Sequence, residues 1–218
     1  MKIRSTSDLL DYLDHEMAWR IKEVHVLKMA VYNAKGANVS AHLRAGVAML
    51  YAHWEGFVKN SANAYVAYLA HRGDRNRDLQ ACFVALGMKT MLASSHESSK
   101  SSIAVSTVSY LLTEIDKPAK LPRKDIINTE SNLNSVVFTN ILGWIGFEST
   151  KYSPRFSLID TALLKARNAI AHGEYFEIDE PRFDSLIVDV LELLRWFKTD
   201  IENAVVTQAF LKTLPSEL

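Results

Sequence analysis

The sequence predicts an all-α protein, a single domain over residues 1–218 built from long antiparallel helices. Three observations support this prediction. All five prolines lie at or beyond Pro118, so the first half of the chain can form long helices without a forced break. Apolar residues recur at spacings of three and four, which is typical of the buried face of a helix. Glycines suited to ending helices stand at Gly36, Gly73 and Gly173, each after a periodic segment.

The pattern divides the chain into seven helical segments. The first is capped by Ser7 or Asp8 and ends near Ala34, and the second extends from about residue 38 to residue 72. The other five are residues 79–92, 103–115, 133–147 and 156–172, and a last amphipathic helix that Pro181 opens.

Some of these segments are less regular than the others. Gly46 and Gly56 lie inside the second helix, and each disfavours it by about 1 kcal/mol relative to alanine. The valines and threonines of residues 103–115 leave a strand as an alternative. The serine-rich stretch Ser94–Ser102 is expected to be a flexible loop or the frayed start of the next helix. Residues 117–124 form a basic connector with two prolines.

The composition excludes several classes of protein. The chain has 25 basic and 25 acidic side chains, so contacts with nucleic acid must come from local patches. No apolar run approaches the roughly 18 residues of a membrane span, and the N-terminal residues turn acidic where a signal peptide would be apolar. We therefore expect a cytoplasmic protein with no membrane partner. The single cysteine, Cys82, fits a reducing compartment and is expected to be a small buried residue.

The usual catalytic motifs are absent from the sequence. It contains no phosphate-binding glycine loop, no GxSxG and no HExxH. His42 and His53 share a helix face, but no third ligand is evident, so we predict neither a metal nor a cofactor. The acidic cluster at residues 11–16 is interpreted as a solvated helix face.

One segment, residues 166–173 (ARNAIAHG), carries a distinctive pattern. An arginine five residues before a histidine is weak evidence, because 11 arginines and 7 histidines give about 0.35 such pairs by chance. Arg20 and His25 form another such pair. Requiring an asparagine directly after the arginine lowers the chance number to about 0.02, and only Arg167 meets this requirement.

Helix geometry indicates what this segment can do. Asn168 and His172 share a helix face, whereas Arg167 and His172 lie about 140° apart. Gly173 ends the helix, so His172 falls in the last turn, where the negative pole of the helix favours its protonated form. Such a histidine can transfer protons near neutral pH, and a guanidinium suits a phosphate. Together they fit metal-free phosphodiester cleavage. A plainer alternative stays open, in which the three residues only cap and solvate a helix end.

The stretch from Arg167 to Gly173 resembles the RNxxxH form of the signature of HEPN domains. Two further stretches resemble the MAE-type HEPN-like nuclease branch. The first is Arg44 followed by residues 50–59 (LYAHWEGFVK), and the second is residues 132–135 (NLNS) followed by two glycines. The resemblance covers most of the chain, from about residue 8 to about residue 212.

This resemblance implies an all-α HEPN bundle that acts as a dimeric, metal-independent endoribonuclease of toxin–antitoxin or phage-defence systems. Its partners would be an RNA substrate, a second copy and a cognate antitoxin protein. Carried over, Arg167 and His172 are catalytic, and Asn168 orients the histidine or binds the phosphate. In some relatives a tyrosine two residues after the histidine is modified by a partner enzyme. That position is Glu174 here, with Tyr175 next, so this modification is not expected.

Two alternatives to the nuclease are a non-catalytic HEPN module that binds a nucleotide or a protein, and a purely structural protein. Supporting residues are expected on the second helix, where a polar stripe contains Arg44, Tyr51, Glu55 and Lys59. Of these, Arg44 and Glu55 are the predicted supporting residues, and Glu55 would hold Arg167 or His172. The alternative for Glu55 is a surface pair with Lys59.

Candidate RNA contacts, which can equally be solvated loops, are the arginine-rich turn at residues 72–77 and the connector cations Lys117, Lys120, Arg123 and Lys124.

Overall fold

The computed structural model describes residues 3–97, 100–122 and 126–213. Within these ranges the chain forms eight α-helices and no β-strand, which confirms the predicted all-α class. In chain order the helices are α1 (Thr6–Asn33), α2 (Ala37–Arg72), α3 (Ala81–Gly87), α4 (Lys89–Glu97), α5 (Ser101–Glu114), α6 (Ser135–Trp144), α7 (Ala166–Ala171) and α8 (Glu180–Val206).

The three long helices α1, α2 and α8 form the frame of the bundle. The start of α1 meets the end of α2, where Thr6 Oγ1 lies 3.1 Å from Tyr68 Oη. The end of α8 also meets the start of α1, where Lys198 Nζ lies 2.9 Å from Asp14 Oδ1. Helix α1 therefore runs antiparallel to both of its long neighbours, and α2 and α8 run parallel to each other.

The start of α1 differs from the prediction. Ser5 is the N-cap, and its hydroxyl accepts a hydrogen bond from the Asp8 backbone N–H at 3.1 Å. The Asp8 carboxylate accepts one in return from the Ser5 N–H at 3.0 Å. The predicted caps, Ser7 and Asp8, were wrong, because Asp8 is instead the third helical residue of a capping box.

Helix α2 is unbroken despite its two internal glycines. A Cβ atom at Gly46 would lie 2.5 Å from Cζ of Phe183 in α8, so glycine is what allows the two helices to approach this closely. Farther along α2, Trp54 packs edge-on against Phe138 of α6 with ring centres 4.9 Å apart. This packing in the core offsets the weak helix propensity of glycine.

The region between α2 and α6 is divided differently from the prediction. Met88 separates α3 from α4, where a single helix over residues 79–92 was expected. Helix α4 continues to Glu97, so a loop starting at Ser94 was wrong for residues 94–97; Ser98 and Ser99 lie outside the described residues. Serine disfavours a helix by only a few tenths of a kcal/mol, so a serine run is no firm stop signal. Residues 101–114 are helical, not a strand.

The segment before the motif is a helix of changing pitch. The predicted continuous helix over residues 156–172 is instead a π-helical segment at Leu158–Lys165 that runs into α7. A π-helical segment has wider turns and is often found near functional sites.

Helix α6 is shorter than predicted, and its N-cap Asn134 accepts from the Val137 N–H at 2.8 Å.

The interpretation of residues 11–16 as a solvated face was wrong for Glu16. Glu16 and Arg20 of α1 are buried and form an ion pair of 2.9 Å. Asn60 of α2 donates a further hydrogen bond to Glu16 at 2.8 Å, so the carboxylate is bound from both α1 and α2. Among the helices of the described ranges, none has the length and apolar character needed to cross a membrane.

Candidate functional site

The motif lies at the C-terminal end of α7, as predicted. Gly173 adopts φ +75°, and its N–H donates to the Ile170 carbonyl at 3.1 Å, while the Glu174 N–H donates to the Ala169 carbonyl at 2.8 Å. This pair of hydrogen bonds is a Schellman motif, which ends the helix sharply. His172 is the C-cap residue and is exposed to solvent.

The side chain of Arg167 turns toward α2. Its guanidinium carbon lies 4.3 Å from the ring centre of Tyr51, and Nη2 donates to the Ser131 carbonyl at 2.7 Å. Glu55 Oε2 lies 4.0 Å from the same Nη2. The Arg167 side chain remains 23% exposed, so the guanidinium is held in place and still open to solvent.

Tyr51 is a component of this site that sequence reasoning missed, because it was treated only as part of a polar stripe. The residue is buried, and its hydroxyl accepts a hydrogen bond from the Leu133 N–H at 2.6 Å. Burial raises the pKa of Tyr51 above its usual value, so its phenol stays neutral at physiological pH. The ring thus offers Arg167 a flat, uncharged cation–π surface.

The turn that contacts Arg167 has an unusual backbone. Glu130 and Ser131 have φ angles of +55° and +57°, although neither is glycine. The Asn128 side chain accepts from the Glu130 N–H at 2.9 Å and supports this turn. Two successive left-handed residues cost of order 1 kcal/mol each. The strained turn directs the Ser131 carbonyl at the guanidinium of Arg167.

A second missed residue, Asp160, connects the π-helical segment to α6. Its carboxylate accepts two hydrogen bonds from Ser135, one from the backbone N–H at 2.7 Å and one from the hydroxyl at 2.6 Å. Ser135 belongs to the NLNS stretch that carries part of the family resemblance. Asp160 therefore fixes the helix preceding the motif against the start of α6.

The structure places the two predicted supporting residues close to the motif. The Glu55 side chain is 19% exposed and faces Arg167, and within the described residues it forms no ion pair with Lys59. Arg44 Nη2 donates to the Glu174 carbonyl at 3.0 Å, just beyond Gly173. Arg44 thus holds the chain immediately after the motif against α2. The functional roles of both residues stay predictions.

The three motif side chains are not joined to one another. Across the described residues, no hydrogen bond links the side chains of Arg167, Asn168 and His172. Asn168 contributes its backbone carbonyl, which accepts from the His172 N–H at 2.9 Å. Because residues five apart on a helix project about 140° apart, one chain is expected to present the guanidinium and the imidazole on different sides of the helix end.

The basic connector lies away from the motif. Lys117 and Lys120 both bind the Glu114 carboxylate, at 2.5 and 3.3 Å, and they line a surface depression with His71 at the end of α2. Tyr51 is twenty residues earlier on α2, a separation of roughly 30 Å along the helix. Arg123 and Lys124 lie outside the described residues. The cations of the 72–77 turn are paired as well, each with an aspartate.

An all-α bundle with the RNxxxH pattern at the exposed end of a helix is what the resemblance to the HEPN class predicts. The chain belongs to the RiboL-PSP-HEPN family, because the family model of that description matches residues 15–203. The MAE-type branch indicated by the sequence is not confirmed by this match. No curated protein and no solved structure matches the chain.

Proposed function

We propose that this protein is a metal-independent endoribonuclease whose active centre forms between two copies of the chain. The observation that carries the proposal is the exposure of His172 at the same helix end that holds the partly exposed guanidinium of Arg167. A buried motif could not reach an RNA strand. In this motif, His172 is exposed and the guanidinium of Arg167 is partly open to solvent.

The proposed reaction is transfer of the phosphodiester to the neighbouring ribose oxygen. The 2′-oxygen forms a bond to phosphorus as its proton passes to a neutral imidazole, and the bond from phosphorus to the 5′-oxygen breaks. A protonated imidazole supplies the proton to the leaving oxygen. The products are a 2′,3′-cyclic phosphate and a free 5′-hydroxyl, so atoms and charges balance.

Arg167 would stabilise the negative charge that grows on the phosphoryl oxygens. A guanidinium has five N–H donors, and Arg167 directs one of them to the Ser131 carbonyl. Donors therefore remain for a phosphate. The Tyr51 ring and the Ser131 carbonyl fix the position of the group before substrate binds, which lowers the cost of ordering it during the reaction.

The need for two proton carriers supports a homodimer. Each chain offers one histidine in the motif, and the helical spacing separates Arg167 and His172 by about 140°. Two copies facing each other would bring both histidines and both arginines to one phosphate. A purified heterodimer of wild type and His172→Ala is then expected to be as inactive as the His172→Ala homodimer. Half of the wild-type activity would contradict the shared centre.

The biological setting that we propose is a toxin–antitoxin or phage-defence system in the cytoplasm. Expression of the wild-type chain alone is expected to arrest growth, whereas His172→Ala relieves the arrest. The same comparison addresses the second candidate function, a HEPN module that binds a nucleotide or a protein without cleaving. That candidate is favoured by one observation, the lack of a hydrogen-bond partner for the His172 ring among the described residues. Tight nucleotide binding with no RNA turnover would support it.

A further inference from the structure

Helix α5 presents an apolar face to solvent. Val105, Val108 and Leu112 recur at spacings of three and four, so they share one side of the helix. Val105 is 61% exposed and Leu112 is 74% exposed, and Leu111 beside them is exposed as well. We call these four side chains the α5 stripe. Contiguous exposed apolar side chains of this size usually mark an interaction site on a soluble protein.

The α5 stripe is not the side of the helix that packs on the bundle. Among the 14 residues of α5, all of which the structure describes, only Thr107 is buried. The C-terminal end of the helix is held by Asn76, whose side chain donates to the Glu114 carbonyl at 2.9 Å. Helix α4, which precedes α5, has no buried residue over its described range. The chain itself therefore leaves the stripe uncovered.

The surface around the stripe carries no charge. Residues 101–113 (SSIAVSTVSYLLT) contain no acidic or basic side chain, whereas the exposed face of a soluble helix is typically charged. Hydroxyls beside the stripe are satisfied within the helix. Ser106 donates to the Ser102 carbonyl at 2.9 Å, and the Thr113 hydroxyl donates to the Ser109 carbonyl at 2.8 Å. Water can therefore leave this face without stranding a charge or these two hydroxyls.

The occupant that fits such a face is the same face of a second copy. Two charge-free faces do not repel each other, whereas a charged partner surface would lose its hydration and gain no counter-charge. A lipid surface fits less well, because helices that lie on membranes carry lysine and arginine on their polar side. If two copies of α5 pack antiparallel about a twofold axis near Val108, Val105 of each copy faces Leu112 of the other.

We propose that α5 is a self-association surface through which two copies of the chain pair by antiparallel α5 helices. A helix of 14 residues is about 21 Å long. A pair of such helices buries less than the roughly 1,200 Å² of a stable interface, so the contact is weak and depends on protein concentration.

This contact is distinct from the shared active centre proposed above. Asn76, which holds the end of α5, follows the C-terminal end of α2, whereas Tyr51 contacts Arg167 about 30 Å earlier along that helix. The inference therefore goes beyond the nuclease and holds whether or not RNA is cleaved. A chain with both contacts would form dimers through the motif and join these dimers through α5.

The test is the mass of the assembly, measured by sedimentation equilibrium over a wide range of protein concentration. Val105→Glu/Leu112→Glu sets like charges against each other, so its mass at high concentration should be about half that of wild type. This ratio is the same whether the remaining unit is a monomer or a dimer through the motif, so failure of the nuclease proposal would not affect it. Val26→Glu/Val188→Glu, at similarly exposed positions of α1 and α8, is the matched control and should keep the wild-type mass.

A mixing experiment identifies the occupant as a second copy. Val105→Lys/Leu112→Lys should also lose the contact by itself, but an equimolar mixture with the glutamate variant should recover the wild-type mass, because opposite charges then face each other. Mixing two variants of this chain could not restore a contact with a foreign protein or a lipid surface.

Three results would overturn the proposal. The first is a wild-type mass that equals the mass of the glutamate variant at every concentration. The second is a mixture of the two charge variants that recovers nothing. The third is a wild-type chain that does not associate but floats with phosphatidylcholine vesicles, which would assign the stripe to a bilayer.

Discussion

The guanidinium carbon of Arg167 lies 4.3 Å from the ring centre of Tyr51, so the motif helix and α2 meet at the residue proposed to bind phosphate. The same tyrosine accepts a hydrogen bond from the Leu133 N–H. Tyr51 thus connects α2 both to the motif and to the strained turn around Ser131. The position of the arginine depends on three separate parts of the chain.

Changes at Tyr51 should separate its two roles. Tyr51→Phe keeps the ring but leaves the buried Leu133 N–H without an acceptor, so it should lower the free energy of unfolding by about 1–3 kcal/mol in urea titrations. RNA cleavage by the folded variant should stay within a few-fold of wild type. Tyr51→Leu also removes the cation–π surface and should cleave more slowly than Tyr51→Phe. Equal cleavage by the two variants would show that the ring does not position Arg167.

Gly46 should tolerate no side chain. Gly46→Ala gains about 1 kcal/mol of helix propensity, but its Cβ would lie 2.5 Å from Phe183 Cζ, and the overpacking should give a net loss of about 1–3 kcal/mol. Gly143→Ala in α6 is the matched control, because a Cβ there meets no atom within 4 Å. The control should be neutral or slightly stabilising. A Gly46→Ala chain as stable as its control would contradict the close approach of α2 and α8.

The buried ion pair of α1 should be sensitive to loss of its acid. Glu16→Ala leaves Arg20 buried and unpaired, which should destabilise the fold by about 3–5 kcal/mol. Asp11→Ala, at an exposed position of the same helix, should change the unfolding free energy by less than about 0.5 kcal/mol. Chemical denaturation of both variants measures the difference. Similar stabilities would mean that Arg20 finds water or another partner.

Stability should fall with decreasing pH because of His53. Burial lowers the pKa of His53 below its ordinary value of 6.5, and the carboxylate of Glu23, 3.2 Å away, only partly opposes this effect. The unfolded chain therefore binds more protons below about pH 6.5 than the folded chain does. The free energy of unfolding should decrease as the pH drops through 6.5 toward the lower folded-state pKa.

His53→Gln should remove this part of the pH dependence, measured by denaturant titrations at pH 7.5 and pH 5.5. His15→Gln, at an exposed position of α1, is the control and should keep the wild-type slope. An unchanged slope in His53→Gln would assign the pH dependence to other groups.

Features governed by short-range rules could be predicted from the sequence, and those governed by distant contacts could not. The end of α7 at Gly173 and the place of His172 in the last turn follow from the left-handed preference of glycine, which acts within a few residues. Tyr51 and Asp160 reach the site across separations of 116 and 25 residues from their partners Arg167 and Ser135. No periodicity or spacing encodes such contacts. The π-helical segment was missed for the same reason, since its apolar spacing resembles that of an α-helix.

The most direct measurement is cleavage of a labelled RNA pool by the purified chain in excess EDTA. Wild type and His25→Ala, which removes the histidine of the other arginine–histidine pair, are expected to cleave at the same rate and leave a 2′,3′-cyclic phosphate. His172→Ala is expected to be slower by at least about a hundredfold. Equal rates for wild type and His172→Ala, or cleavage only when a metal is added, would contradict the proposed mechanism.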